Sequence, residues 1–223
     1  MDQHHSWRNN AWHRPRCLAA GMTLTLSLAF PFPQAGAGAG PPAAAEGSAR
    51  SPIAKFPALA ALDLSGRSVD PFDAHDAPAT VFLFVSTECP ISNRYAPEVR
   101  RLQKKFARFN VRFWLVYSDP QTSVEAIREH LKAYQLPVDV LRDSKHALVR
   151  LSQARTTPEA AVFLPGGRLA YHGRIDDRFV ALGKERPEAT RHDLEMVLEA
   201  IAHGKPAPFA STPSVGCYIP DLK

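Results

Sequence analysis

Two continuous apolar runs set the strongest limit on what this chain can fold into. Ala79–Val85 (ATVFLFV) and Val111–Tyr117 (VRFWLVY) are rich in Val and aromatic residues and lack the polar alternation of a half-exposed strand. Such runs suit strands buried on both faces, as parallel sheets require. Between them, Ile91, Tyr95, Val99, Leu102 and Phe106 recur at helical spacing with charges on the intervening positions. Strand, crossover helix and strand make one βαβ unit. The fold class is therefore read as α/β, a central sheet with parallel pairs covered by helices on both faces.

The remaining segments extend this pattern. Asp119-Pro120 precedes a helix expected over Ser123–Tyr134, which Leu136-Pro137 ends. A short strand (VDVLRD) and a short helix near Lys145–Gln153 follow. Ala160–Ile175 reads as a hairpin around Pro165-Gly166-Gly167. The last helix is expected over Ala189–Ala202, with Leu194, Val197, Leu198 and Ile201 as its apolar stripe and Gly204 and Pro206 as its stop. Upstream, Leu62–Asp70 reads as two short strands around a Ser-Gly turn, an N-terminal β-hairpin. There is no internal repeat.

The N-terminal segment has a different character. Arg8, Arg14 and Arg16 precede an apolar stretch, Leu18–Phe30, and small residues follow, with Ala35-Gly36-Ala37 and Ala37-Gly38-Ala39 as cleavage candidates. That order is the pattern of a secretory signal, and the stretch is short for a membrane span. The organisation read is signal peptide 1–37, flexible linker 38–55, a folded domain 56–204 and a Pro-rich tail 205–223. Export implies a periplasmic or extracellular location, with a membrane tether if the signal stays uncleaved. The net charge of +5 is spread along the chain with no binding motif, so nucleic acid is not an expected partner. The densest basic run, Arg100–Arg112, reads as the solvated face of a helix. Of the three cysteines, Cys17 lies inside the signal and has no lipobox before it. The mature chain keeps Cys89 and Cys217, in a compartment that permits disulfides.

Cys89 follows a buried strand directly and opens a helix, where free backbone N–H groups favour a thiolate. The segment C-P-I-S-N-R-Y-A-P (Cys89–Pro97) resembles the active-site segment of the thioredoxin superfamily. In that family a C-x-x-C pair opens a helix, and an Ala-Pro follows with its proline eight residues after the first cysteine. Thr157-Pro158, just before AAVFLP, matches the family's cis-proline loop. The resemblance covers roughly residues 55–203. Its finer branch is similar to the redoxin group that includes alkyl hydroperoxide reductase and thiol-specific antioxidant proteins.

What the resemblance implies is a thioredoxin-like three-layer sandwich, a central mixed sheet flanked by helices, with the N-terminal hairpin as an extension. It implies an oxidoreductase in which the Cys89 thiolate attacks a disulfide or peroxide. Thr157 and Pro158 would present backbone groups to the substrate, and Ser92 would hydrogen-bond the thiolate. Neither a cofactor nor a metal is implied. The partners would be a protein disulfide, thiol or peroxide substrate and an external thiol reductant. Two departures stand out. Ser92 replaces the second cysteine and cannot resolve a mixed disulfide. Glu88 replaces the family's tryptophan, and a carboxylate facing Cys89 would oppose the thiolate. Cys217 is the candidate resolving cysteine, because an extended dozen residues can span ~40 Å. The peroxiredoxin pattern is met in part: Ser86 stands three residues before Cys89, but Phe82 occupies the proline position, and Arg155 would have to serve as the activating arginine. Two other readings remain open. One is a copper site of Cys89, Cys217 and His172 or His146, since soft thiolates suit Cu(I). The other is a non-catalytic thioredoxin-like binding module.

Overall fold

A computed structural model describes residues 61–73 and 76–220. The expected signal peptide and linker lie outside the described residues, as does the start of the expected domain. The central sheet has the order β3-β2-β1-β5-β6. Strands β1 (Thr80–Val85), β2 (Arg112–Tyr117) and β3 (Asp139–Arg142) run parallel. Strands β5 (Glu159–Leu164) and β6 (Arg168–Gly173) form an antiparallel hairpin, and β5 pairs antiparallel with β1. The two apolar runs are the two central parallel strands, as their composition requires. All of β1 is buried. Val81, Leu83 and Val85 face one core and Phe82 and Phe84 the other.

The first core is closed by α2 (Ala96–Phe106), α3 (Val124–Ala133) and α5 (Asp193–Ala202), through Val99, Leu102, Phe106, Ile127, Leu194, Val197, Leu198 and Ile201. The second is closed by the short α4 (Ala147–Ser152), by Ala61 and Phe72 of the N-terminal segment, and by Ile219 of the tail. Phe72, Phe82 and Phe163 meet edge-to-face there, with centroids 5.4–5.5 Å apart. The basic run on α2 does more than face water. Arg101 and Lys105 pair with Glu195, and Lys105 with Glu199, tying α2 to α5 across the surface.

Several expected boundaries move, each for a local reason. The helix after Cys89 breaks at Tyr95 into α1 (Pro90–Arg94) and α2. Pro97 therefore lies in the first turn of α2, where its missing N–H costs no intrahelical bond. The last helix starts at Asp193 rather than Ala189. The Asp177 carboxylate takes the Thr190 and Arg191 N–H groups, at 2.7 and 2.9 Å, and holds that stretch out of the helix. Before it, β7 (Phe179–Ala181) and β8 (Lys184–Glu185) form a small hairpin that no sequence pattern announced. The expected N-terminal hairpin contracts to a single Leu62–Ser68 bridge, and Leu62 bridges Arg142 at the β3 edge.

The tail belongs to this same body. His172 exchanges backbone bonds with Ala210 and Thr212, and the Thr212 hydroxyl meets Tyr171 Oη at 2.6 Å. Gly173, at φ +142°, makes the approach possible: a Cβ there would lie 2.3 Å from the Thr212 carbonyl oxygen. Gly173→Ala is expected to cost about 1–3 kcal/mol from backbone strain alone and to free residues 207–216 from β6. Urea unfolding and limited proteolysis of the tail will measure both effects.

Candidate active site

Cys89 is the residue before α1. Its extended backbone (φ −81°, ψ 110°) lets the chain turn from β1 into the helix, and its carbonyl accepts the Asn93 N–H, the first helical bond. The side chain points inward and is 1% exposed. In the thiol form its Sγ–H donates to the Thr157 carbonyl at 3.0 Å. The Thr157–Pro158 bond is cis. The two sequence landmarks, separated along the chain, therefore meet as the resemblance implied.

The tail brings the third element. Strand β4 (Thr156–Thr157) pairs antiparallel with β9 (Cys217–Tyr218), placing Thr157 opposite Cys217. Flanking contacts hold this two-residue ladder. The Thr156 hydroxyl donates to the Ser214 hydroxyl at 2.8 Å, and the Ser214 hydroxyl and the Thr156 N–H donate to Glu159 Oε2. Ile219 N–H donates to the Arg155 carbonyl at 3.0 Å, and the Ile219 side chain is buried. Gly216 is required here, because a Cβ would sit 2.2 Å from the Thr157 oxygen. Cys217 is consequently brought beside Cys89, and the two line one cleft.

The electrostatics of the pair are asymmetric. Burial pushes the Cys89 thiol up, but hydrogen bonds from the Cys217 thiol and N–H and from the Ser92 N–H and hydroxyl outweigh it, and the net shift is downward. Cys217 is pushed up to about 11, first by burial and then by its hydrogen bond to Cys89 and the charge there. Of the two, Cys89 is thus the more readily ionised and Cys217 the one that holds its proton. Ser92 Oγ is buried and has no hydrogen-bond partner, which leaves it free to turn to a charged sulfur beside it. Because α1 has only five residues, these local donors, rather than a long helix dipole, carry the effect. Glu88 is exposed at the rim of the cleft and is not one of the main groups acting on Cys89.

A cleft of about 310 Å³ opens onto both sulfurs. Glu88, Ser118, Asp119 and Thr122 line it on one side and residues 217–220 on the other. Tyr117 lines it too and leads to a network that sequence reasoning missed. Tyr117 Oη lies 2.8 Å from His130 Nδ1, and His130 Nε2 lies 2.7 Å from Asn93 Oδ1. Asn93 Nδ2 donates to the Thr87 carbonyl in the loop before Cys89. Since Asn93 Oδ1 can only accept, Nε2 carries the His130 proton and Nδ1 accepts from Tyr117. The network ties β2, α3 and α1 to the Cys89 loop. Nothing in the sequence around His130 distinguishes it from a surface helical histidine.

Other candidates lie elsewhere. Arg155 and His172 line a separate cavity of about 490 Å³ on the far side of the tail. His172 Nδ1 faces Glu159 at 3.5 Å, and His146 Nε2 meets the Ser118 carbonyl at 2.9 Å. Neither histidine joins the cysteine pair as a ligand set among the described residues. The one cluster of ligand-type side chains there is Glu98, Asp176 and His192. Asp176 in it already accepts from Tyr95 Oη and the Arg178 N–H.

Two outcomes are expected. Gly216→Val should lift β9 from Thr157 and raise the rate of Cys89 alkylation by iodoacetamide several-fold, read by mass spectrometry. Burial lowers the His130 pKa. The unfolded chain, with His near 6.5, then binds the extra proton first. The neutral ring's stabilisation is complete above ~6.5 and is lost as pH falls through the folded-state pKa. His130→Gln should therefore show a smaller loss of urea midpoint than the parent between pH 7.5 and 5.

Several solved structures are similar to this chain. A hypothetical protein from Sinorhizobium meliloti 1021 is 25% identical, with a TM-score of 0.62, covering 71% of this chain and 88% of that one. An uncharacterized conserved protein from Geobacillus kaustophilus gives 25% identity and a TM-score of 0.61, covering 71% and 86%. A secreted Mycobacterium tuberculosis disulfide oxidoreductase is similar at 17% identity, with a TM-score of 0.44, covering 65% and 93%. No curated protein matches. Among the described residues, no helix is long and apolar enough to cross a membrane. The fold is thioredoxin-like, and the AhpC/TSA family model matches residues 52–172, more than half of the sequence; the chain belongs to the AhpC/TSA family.

Proposed function

We propose that this protein is an exported thiol oxidoreductase whose redox pair is Cys89 and Cys217. The observation that carries the reading is the Thr157–Cys217 strand register, which sets a second thiol against the Cys89 sulfur. A substrate reaches Cys89 through the cleft. With a disulfide, the Cys89 thiolate attacks one sulfur and the other leaves as a thiolate, giving a mixed disulfide. With a hydroperoxide, it attacks the terminal oxygen and the O–O bond breaks, giving a sulfenic acid and an alkoxide that takes a proton from water to leave as the alcohol. In either case Cys89 loses its negative charge. Two of the influences that keep Cys217 protonated, its hydrogen bond to Cys89 and the charge there, then vanish. Cys217 gives up its proton and attacks Cys89 Sγ, releasing the substrate thiol or water and closing the Cys89–Cys217 bridge. An external thiol returns the pair to the reduced state. Ser92, in the place of the family's second cysteine, stabilises the Cys89 thiolate, and Cys217 resolves the sulfur once it is oxidised. Export rests on the N-terminal signal pattern, and an oxidising compartment suits a resting bridge.

The test is turnover of a low-mass disulfide and of a hydroperoxide with DTT as reductant, with mass spectrometry of the products. Cys89→Ser should lose both reactions. Cys217→Ser should complete the first step and then accumulate Cys89 as a mixed disulfide or as a dimedone-reactive sulfenic acid. In the parent, alkylation of Cys89 should reach half its maximum below the ordinary thiol range of ~8.5, and Ser92→Ala should move that midpoint up. An oxidised parent protein without a Cys89–Cys217 bridge overturns the reading.

A further inference from the structure

The cleft onto the two sulfurs has a charge of its own. The described residues that line it include two carboxylates, Glu88 and Asp119, and no Lys, Arg or His. The chain as a whole carries a formal net charge of +5, so this acidic mouth is a local departure. Glu88 is exposed directly before Cys89, and Asp119 is half-buried two residues after β2. The Asp119 carboxylate takes the Gln121 N–H at 2.8 Å and the Thr122 hydroxyl at 3.0 Å. These neutral donors orient it and leave its charge uncompensated.

The cations of neighbouring elements are engaged elsewhere. Arg94 of α1 pairs with Glu185, and Arg155 lines the cavity on the far side of the tail. His146 is buried behind the wall of the cleft, with Nε2 on the Ser118 carbonyl. Across from the carboxylates, Tyr218 is 83% exposed and offers a ring face to a cation.

We propose that this mouth selects its substrate by charge: the partner is a polypeptide disulfide with Lys or Arg beside the cystine, and Glu88 and Asp119 are the residues that favour it. This rests on the reading of Cys89 and Cys217 as the redox pair. A cation ~6 Å from one rim carboxylate in water at low salt gains a factor of about three, and an anion loses as much. Two carboxylates together favour a cationic disulfide over a neutral one by about ten-fold, acting on encounter and seating. The chemistry balances as before. The Cys89 thiolate bonds to one substrate sulfur, the S–S bond breaks and the other sulfur leaves as a thiolate. Cys217 then displaces the first. Two electrons pass from the protein to the substrate, and the departing thiolates take up protons, one of them from Cys217.

The probes are cystamine, with two ammonium groups, the neutral hydroxyethyl disulfide, and dithiodipropionate, with two carboxylates. Each is mixed in excess with reduced full-length protein at about 10 and about 300 mM NaCl, where the screening length falls from ~30 Å to well under ~10 Å. Samples are quenched in acid, alkylated with N-ethylmaleimide and counted by intact mass. Each rate constant is divided by that of the same disulfide with free mercaptoethanol, which removes differences in intrinsic reactivity. The corrected rate for cystamine should exceed that for the neutral disulfide by about ten-fold at low salt and contract at high salt, with dithiodipropionate slowest. Glu88→Gln with Asp119→Asn should bring all three within about two-fold of one another. Glu88→Gln alone, at an exposed position, should lower the cystamine preference about three-fold, so the test does not depend on Asp119→Asn. Equal corrected rates in the parent, or a preference that survives loss of the carboxylates, overturn the proposal. No reaction of Cys89 with any of the three disulfides overturns the redox reading beneath it, so the two failures are told apart.

Discussion

The backbone pairing of Thr157 with Cys217 is the contact on which the rest of this site depends. It consists of two residues on each side, too few to persist alone. It is held because the tail is fastened at both ends. Upstream, Thr212 is locked against β6 and Tyr171. Downstream, Ile219 is buried in the second core. Each fastening needs a glycine where a side chain would collide, Gly173 under Thr212 and Gly216 against Thr157. The reactive pair is therefore built by tertiary packing, whereas a C-x-x-C pair is built by one turn of helix.

That difference explains what was legible in the sequence. The buried strands, the parallel sheet and the position of Cys89 are written in local patterns: apolar runs, helical spacing and a cysteine at a strand-to-helix junction. The Thr157-Pro158 loop was found because its neighbours match a family landmark. Cys217 was suspected from arithmetic and reach, since Ser92 left Cys89 without a partner. How the tail travels was not legible. Its strand is two residues long and its anchors are single hydroxyls and glycines, none of which forms a periodic signal. The β7–β8 hairpin and the late start of α5 were hidden for a similar reason. Asp177, distant in sequence, takes the N–H groups that a helix beginning at Ala189 would have used.

The His130 network shows the same limit from another side. Histidine on a helix rich in charges reads as a surface residue. It is buried because Asn93, within the C-P-I-S-N segment, and Tyr117, at the end of β2, each offer one atom to its ring. A buried polar group needs such partners to avoid the cost of desolvation. Asn93 spends its remaining donor on the loop before Cys89. The motif residue after Ser92 thereby steadies the nucleophile from behind while Ser92 faces it.

If Cys89 and Cys217 pair as proposed, placing the second thiol on the tail rather than the helix changes more than position. A C-x-x-C bridge closes a loop of a few residues and restrains the unfolded chain little. A bridge from Cys89 to Cys217 closes a loop of well over a hundred residues, which in the chain-entropy view stabilises the folded state by about 4–5 kcal/mol. By linkage, folding holds that bridge closed to the same extent. The oxidised form is favoured by the fold itself, and reduction works against it. The groups on the page oppose that bias at one place. The donors around Cys89 stabilise the thiolate that reduction produces, and they stabilise nothing in the bridge. In the proposed pair, Ser92 and the Cys217 N–H, by favouring charge on Cys89, would keep the bridge reducible despite its length. On the proposed reading, a serine where the family has cysteine supplies a hydrogen-bond donor that a sulfur there would supply poorly.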